Sequence, residues 1–93
     1  MAIVVKVDSS EMTRESYEKV RKAANWEGNP PVGAIFHVAA FDESGLHVID
    51  VWDIAENFDA FLTGRIIPAL QSIGVTNQPS VTISEAHAYF KPA

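Results

Sequence analysis

Apolar residues recur along this chain in two rhythms. Ile3 to Val7 is a short β-branched run and predicts a first strand. After Asp8-Ser9-Ser10-Glu11 the spacing becomes helical. Tyr17, Val20 and Ala24 form one stripe, with Arg14, Glu15, Glu18, Arg21 and Lys22 facing water. Thr13 is placed to cap this helix, and Met12 can staple against Tyr17. The helix should end near Asn25, because Gly28-Asn29-Pro30-Pro31 cannot continue it. Ala34 to Phe41 and Leu46 to Asp53 read as strands joined by the turn Asp42-Glu43-Ser44-Gly45. Asp53 with Glu56 reads as the capping box of a second helix. Phe58, Phe61, Leu62, Ile66, Ala69, Leu70 and Ile73 supply its apolar face. Pro68 should kink or restart that helix, and Gly74 should stop it. Thr76 to Ser80 is a turn-rich loop, and Val81 to Phe90 is the last expected strand.

The order strand-helix-strand-strand-helix-strand is the split β-α-β plan. It predicts one α+β domain over residues 1–93, with a four-stranded antiparallel sheet and both helices on one face. The strands carry large apolar residues on both sides, so the uncovered face should be apolar too. A soluble monomer seldom leaves such a face open, and a homodimer is the expected remedy.

The hairpin gives the candidate chemistry. A two- or four-residue turn pairs Phe41 with Leu46, Ala39 with Val48, His37 with Asp50 and Ile35 with Trp52. His37 and Asp50 are then polar neighbours on one face. That face is expected to be the bare, dimer-facing one, with Phe36, Val38, Ile49 and Val51 beneath the helices. A carboxylate can orient one ring nitrogen of an imidazole for base chemistry, so His37 is a candidate base and Asp50 its partner. Trp52 would pack a small apolar or aromatic ligand. The plainer alternative is a structural hydrogen bond or a subunit contact.

Other residues are weaker candidates. His87 and Tyr89 would join the site if their face of the last strand lies on the cavity side. Arg65 can clamp an anionic ligand or make a surface ion pair. His47 should face solvent beside the turn, and Trp26 should pack at the rim of the first helix. Three histidines on three strands lack the local spacing of common metal motifs, so neither a metal nor a cofactor is expected.

Composition narrows the partners. The net charge of −5 and scattered basic residues argue against nucleic acid. With no cysteine, disulfides and thiolate chemistry are excluded. Met1 to Lys6 reads as a strand and not as a signal peptide, and no apolar run approaches the ~20 residues of a membrane helix. A cytoplasmic protein is therefore expected.

Certain stretches carry a family resemblance. They are Met12-Thr13, Pro30-Pro31-Val32-Gly33, Asp50-Val51-Trp52-Asp53, Glu56-Asn57-Phe58-Asp59-Ala60-Phe61 and Arg65-Ile66-Ile67-Pro68-Ala69-Leu70. Nearly the whole chain resembles the dimeric α/β-barrel superfamily, ferredoxin-like in topology. It is most similar to small uncharacterised proteins related to the antibiotic-biosynthesis-monooxygenase group. The resemblance implies two sheets facing each other across a dimer, with a pocket beside each. Relatives include cofactor-independent oxygenases of aromatic polyketides, haem-degrading enzymes and isomerases. Many monooxygenase relatives place a histidine on the second helix where this chain has Phe61. Haem-degrading relatives place a tryptophan there and a histidine where this chain has Gln71. Those departures argue against haem degradation and remove the usual helix-two residue of oxygenation. The resemblance leaves two readings: a homodimeric domain with a ligand-binding or structural cavity, or a cofactor-independent monooxygenase or isomerase.

Overall fold

Strand β1 (Ile3–Ser9) alternates cleanly: Ile3, Val5 and Val7 point one way, Val4, Lys6 and Asp8 the other. The computed structural model describes residues 1–92. Helix α1 (Arg14–Ala24) follows. Its cap is Thr13, as expected: the Thr13 hydroxyl accepts from the Ser16 amide at 3.1 Å, and the Ser16 hydroxyl accepts from the Thr13 amide at 2.8 Å. The helix ends at Asn25, left-handed with φ 49°.

The hairpin of β2 (Ala34–Asp42) and β3 (Gly45–Trp52) turns on Glu43-Ser44. Phe41, Ala39 and His37 face Leu46, Val48 and Asp50 as predicted. The register then slips. A bulge between Ala34 and Phe36 pairs Ala34, not Ile35, with Trp52. Gly33 precedes the bulge at φ +86°, and a Cβ there would lie 2.2 Å from Asp53 Oδ1. Only glycine lets this backbone approach the start of the next helix.

The second helical region has three parts: α2 (Ala55–Phe61), a π-helical turn (Leu62–Ile66) and α3 (Ile67–Ser72). Pro68 lacks an amide and crowds the preceding turn, so the α ladder cannot run through it unbroken. The chain widens into a π turn and restarts with Pro68 in its first turn. The expected capping box is absent. Ile54 occupies the cap position, and Asp53 instead accepts from the Ile54 amide at 2.6 Å and from Asn57 at 2.9 Å. Gly74 ends the region at φ +81°.

Strand β4 is Ser80–Glu85, shorter than the Val81 to Phe90 expected. Its partner sets this limit. Ile3 of β1 pairs with Glu85, Ala86 donates to the Ala2 carbonyl, and β1 extends no further. The sheet runs β2-β3-β1-β4, all antiparallel, with the helices on one face. This is the ferredoxin-like α+β architecture that the element order predicts.

The covered face is the opposite of the one expected. Beneath the helices lie Ile3, Val5, Val7, Leu46, Val48 and Trp52, and with them His37 and Asp50. Phe36, Val38, Ile49 and Val51 lie on the open face with Val4, Lys6 and Asp8. The choice follows from the central strand. Turning β1 over would bury Lys6 and Asp8, at several kcal/mol per unpaired ion. The observed choice buries Val5 fully and leaves Trp52 2% exposed, each worth ~1.5–3 kcal/mol. Its polar pair satisfies itself, and no buried side-chain polar atom among the described residues lacks a partner.

Candidate functional site

Between sheet and helices is a mostly apolar cavity of about 260 Å³. Tyr17 and Val20 of α1, Phe61 and Leu62 of the second helical region, and Val48 and Trp52 of β3 form much of its wall. The loop after α1 brings Trp26, Pro30 and Pro31 to one end, and the loop before β4 brings Asn77 and Pro79 to another.

One polar chain crosses this cavity. Asp50 Oδ1 lies 2.6 Å from His37 Nδ1. The Trp52 indole N–H donates to Asp50 Oδ2 at 3.2 Å, so both carboxylate oxygens are held. On the far side of the imidazole, Tyr17 Oη lies 2.8 Å from His37 Nε2. A carboxylate can only accept, so Nδ1 carries a proton. When the ring is neutral, Nε2 offers a lone pair that can accept from the Tyr17 hydroxyl. Asp50 is largely enclosed, with 12% of its side chain exposed, against 35% for His37.

Aromatic rings hold the geometry. The Tyr17 and His37 rings are within 5° of parallel with centroids 6.3 Å apart. Trp26 lies 5.3 Å from His37 and 5.9 Å from Tyr17. Trp52 packs against Phe58 and Phe61 at 5.7 and 5.6 Å. Burial pushes the Tyr17 phenol above its ordinary value of 10.0. Nearby Arg21 pulls the other way, while Glu18, Asp50 and Glu27 add to the rise. Tyr17 is thus a protonated phenol at neutral pH.

The sequence candidates divide. His37, Asp50 and Trp52 come together, on the helix side of the sheet and not on its bare side. Trp26 lines the cavity. His87 and Tyr89 lie beyond the end of β4, exposed and away from the cavity wall. Arg65 makes no ion pair among the described residues. It donates to the carbonyls of Ala24 and Asn25 at the end of α1 and of Asn29 in the loop that follows, and its guanidinium lies 4.9 Å from the Phe61 ring centre. No three His, Asp or Glu side chains among the described residues converge as a metal-binding set. No helix among them is long and apolar enough to cross a membrane.

Tyr17 was missed from the sequence because its spacing reads as core. The signal was its hydroxyl: a half-buried tyrosine needs a partner, and α1 crosses the sheet above the His37–Asp50 pair. The covered face was also legible in β1, whose Lys6 and Asp8 would find no partners beneath the apolar helices.

Several solved structures share this fold. A protein of unknown function from Nitrosomonas europaea aligns with a TM-score of 0.67 at 20% identity, covering 99% of this chain and 93% of its own. The cofactor-independent oxygenase SnoaB of Streptomyces nogalater aligns with a TM-score of 0.65 at 14% identity, covering 98% and 97%. A monooxygenase of Streptomyces coelicolor, solved with the ligand nanaomycin D, aligns with a TM-score of 0.57 at 13% identity, covering 99% and 92%. The resemblance to antibiotic-biosynthesis-monooxygenase-like proteins therefore holds at the level of fold. No family model and no curated protein matches the sequence.

Proposed function

We propose that this domain binds a small, flat, largely apolar molecule in the cavity beneath its helices and removes a proton from it. The observation that carries this reading is the Asp50–His37–Tyr17 chain opening onto apolar walls. His37 is the final proton acceptor. Asp50 holds the ring in the tautomer that leaves Nε2 basic and stabilises the imidazolium once formed. Trp52 fixes the carboxylate and forms part of the wall. The cavity lies just below the usual range of ~300–1,000 Å³ for drug-sized ligands, which fits a fused-ring compound and not a larger one. Proton removal from an enolisable or phenolic ligand is the step that cofactor-independent oxygenation and isomerisation share. The fold's occurrence in a cofactor-independent oxygenase supports that direction.

The test uses 2-tetralone, a fused-ring ketone with an acidic C1–H. Proton NMR in D2O follows loss of the C1 signal. The C1–H bond breaks, the enolate forms, and a solvent deuteron returns to carbon. The wild-type chain should accelerate this exchange over buffer, and H37A should not. Equal rates for wild type, H37A and buffer would defeat the reading.

The same reading has two copies meeting through the open sheet face. Phe36 and Val38 are 51% and 45% exposed there, and the half-buried Ile49 and Val4 continue the apolar surface. The dimer thus uses the face opposite to the one first expected, and the cavity belongs to each chain separately. Sedimentation at micromolar concentration should give a dimer; a monomer there removes this part.

A further inference from the structure

We infer that Tyr17, and not His37, is the residue that touches the ligand and passes its proton inward. This deepens the proton-removal reading above and rests on it. Both nitrogens of His37 are occupied: Nδ1 by Asp50 at 2.6 Å and Nε2 by Tyr17 at 2.8 Å. A ligand therefore meets no free imidazole nitrogen. It meets Tyr17, a wall residue of the cavity, whose hydroxyl sits on Nε2 and keeps oxygen lone pairs available when its proton is turned to His37.

The transfer is a two-proton relay. The ligand's C–H or O–H bond breaks as its proton bonds to Tyr17 Oη. The Tyr17 O–H bond breaks as that proton bonds to His37 Nε2. The products are a ligand enolate or phenolate, a neutral Tyr17 and an imidazolium paired with the Asp50 carboxylate. No charge is left unpaired on Tyr17, which suits a phenol that burial keeps protonated. The arrangement also defines what the site recognises. With its own proton turned inward, Tyr17 is an acceptor, so it favours ligands that present an acidic O–H or an activated C–H. A ligand offering only a carbonyl oxygen to this point finds no donor.

The variant is Tyr17→Phe. It deletes one oxygen and keeps the ring that packs against Trp26 and Phe41 at 5.9 and 6.1 Å. The His37 side chain is 35% exposed, so water can replace the hydroxyl at Nε2 and the fold should survive; circular dichroism and the thermal midpoint check this. In the 2-tetralone exchange assay, Y17F should lose ~10²-fold or more in kcat, the scale of a lost proton-transfer group. KM should stay within about threefold, because the apolar wall is intact. A Y17F rate within about twofold of wild type, with H37A inactive, overturns the inference and leaves the proton-removal reading standing, since the ligand then reaches Nε2 directly. A wild-type rate equal to buffer overturns both. If Y17F is unfolded, Tyr17→Met is flexible enough to pack in its place and has no hydroxyl. The kcat of Y17M then decides in the same way.

Discussion

One sheet makes two histidine–carboxylate pairs among the described residues, one on each face, and they differ in what surrounds them. His37 Nδ1 to Asp50 and His47 Nδ1 to Asp8 are both 2.6 Å, and both imidazoles are 35% exposed. Beneath the helices, His37 has one carboxylate and one phenol, an indole holding the carboxylate, and a cavity in front. On the open face, His47 lies between two carboxylates, with Asp42 at 2.9 Å and the Ser44 hydroxyl at 2.8 Å on its second nitrogen. Acceptors on both sides favour a doubly protonated ring. Hydrogen bonds to Asp8 first and Asp42 second raise the His47 pKa. The Ser44 hydroxyl, then His47, pull Asp42 down to about 2. His47 thus ties β1 to the hairpin turn and holds its proton to higher pH than a free imidazole. A neutral imidazole serves both partners of His37, which is the state proton removal needs. A short His–Asp contact does not make a site; the third partner and the cover above it do.

The contrast can be broken at several points. The largest effect should be on exchange of 2-tetralone. H37A should lower it by ~10²–10⁴-fold, while H47A leaves it within about twofold. Comparable losses from both would mean that the two histidines are not distinguished by their surroundings.

The faces themselves can be tested next. Phe36→Glu places a charge on the open apolar face and should weaken self-association by ~30-fold or more, about 2 kcal/mol, without unfolding the chain. Sedimentation measures this. A dimer that survives F36E unchanged is not built on that face.

Stability comes third. Asp50→Ala strips acceptors from the Trp52 indole and the His37 ring in an enclosed site, and should cost ~1–3 kcal/mol in urea unfolding. Asp8→Ala on the open face should shift the same curve much less, because water replaces its partner.

The smallest effect is in pH dependence. A raised His47 pKa contributes stability that is complete below its ordinary 6.5 and is lost as pH rises through the folded value. A lowered Asp42 pKa contributes stability present above 3.8 and lost as pH falls towards about 2. The thermal midpoint of wild type should therefore decline relative to H47A as pH rises beyond 6.5. Parallel curves for the two proteins across that range would refute the tie.

Much of this was legible along the chain. Element order follows from period changes and breakers, which are local: Thr13 caps, Asn25 and Gly74 stop, and Glu43-Ser44 turns the hairpin. Turn length propagates through the ladder, so the facing of His37 and Asp50 was determined as well. Local reading failed where a neighbour outside the segment decided. The bulge beside Ile35 depends on Gly33 meeting Asp53, twenty residues away. The length of β4 depends on where β1 begins, which left His87 and Tyr89 outside the sheet. Arg65 found carbonyls at the end of α1 and in the loop after it.

By itself, then, the sequence determined a split β-α-β domain whose hairpin holds a histidine beside an aspartate. Only the tertiary structure decided which side of the sheet that pair would face and that Tyr17 would complete it. Alternation assigns residues to two faces but does not say which face is covered. That depends on the balance over all four strands, where the charges of Lys6 and Asp8 outweigh the aliphatics around them. The hydroxyl above His37 depends on where α1 crosses the sheet, and packing alone sets that crossing.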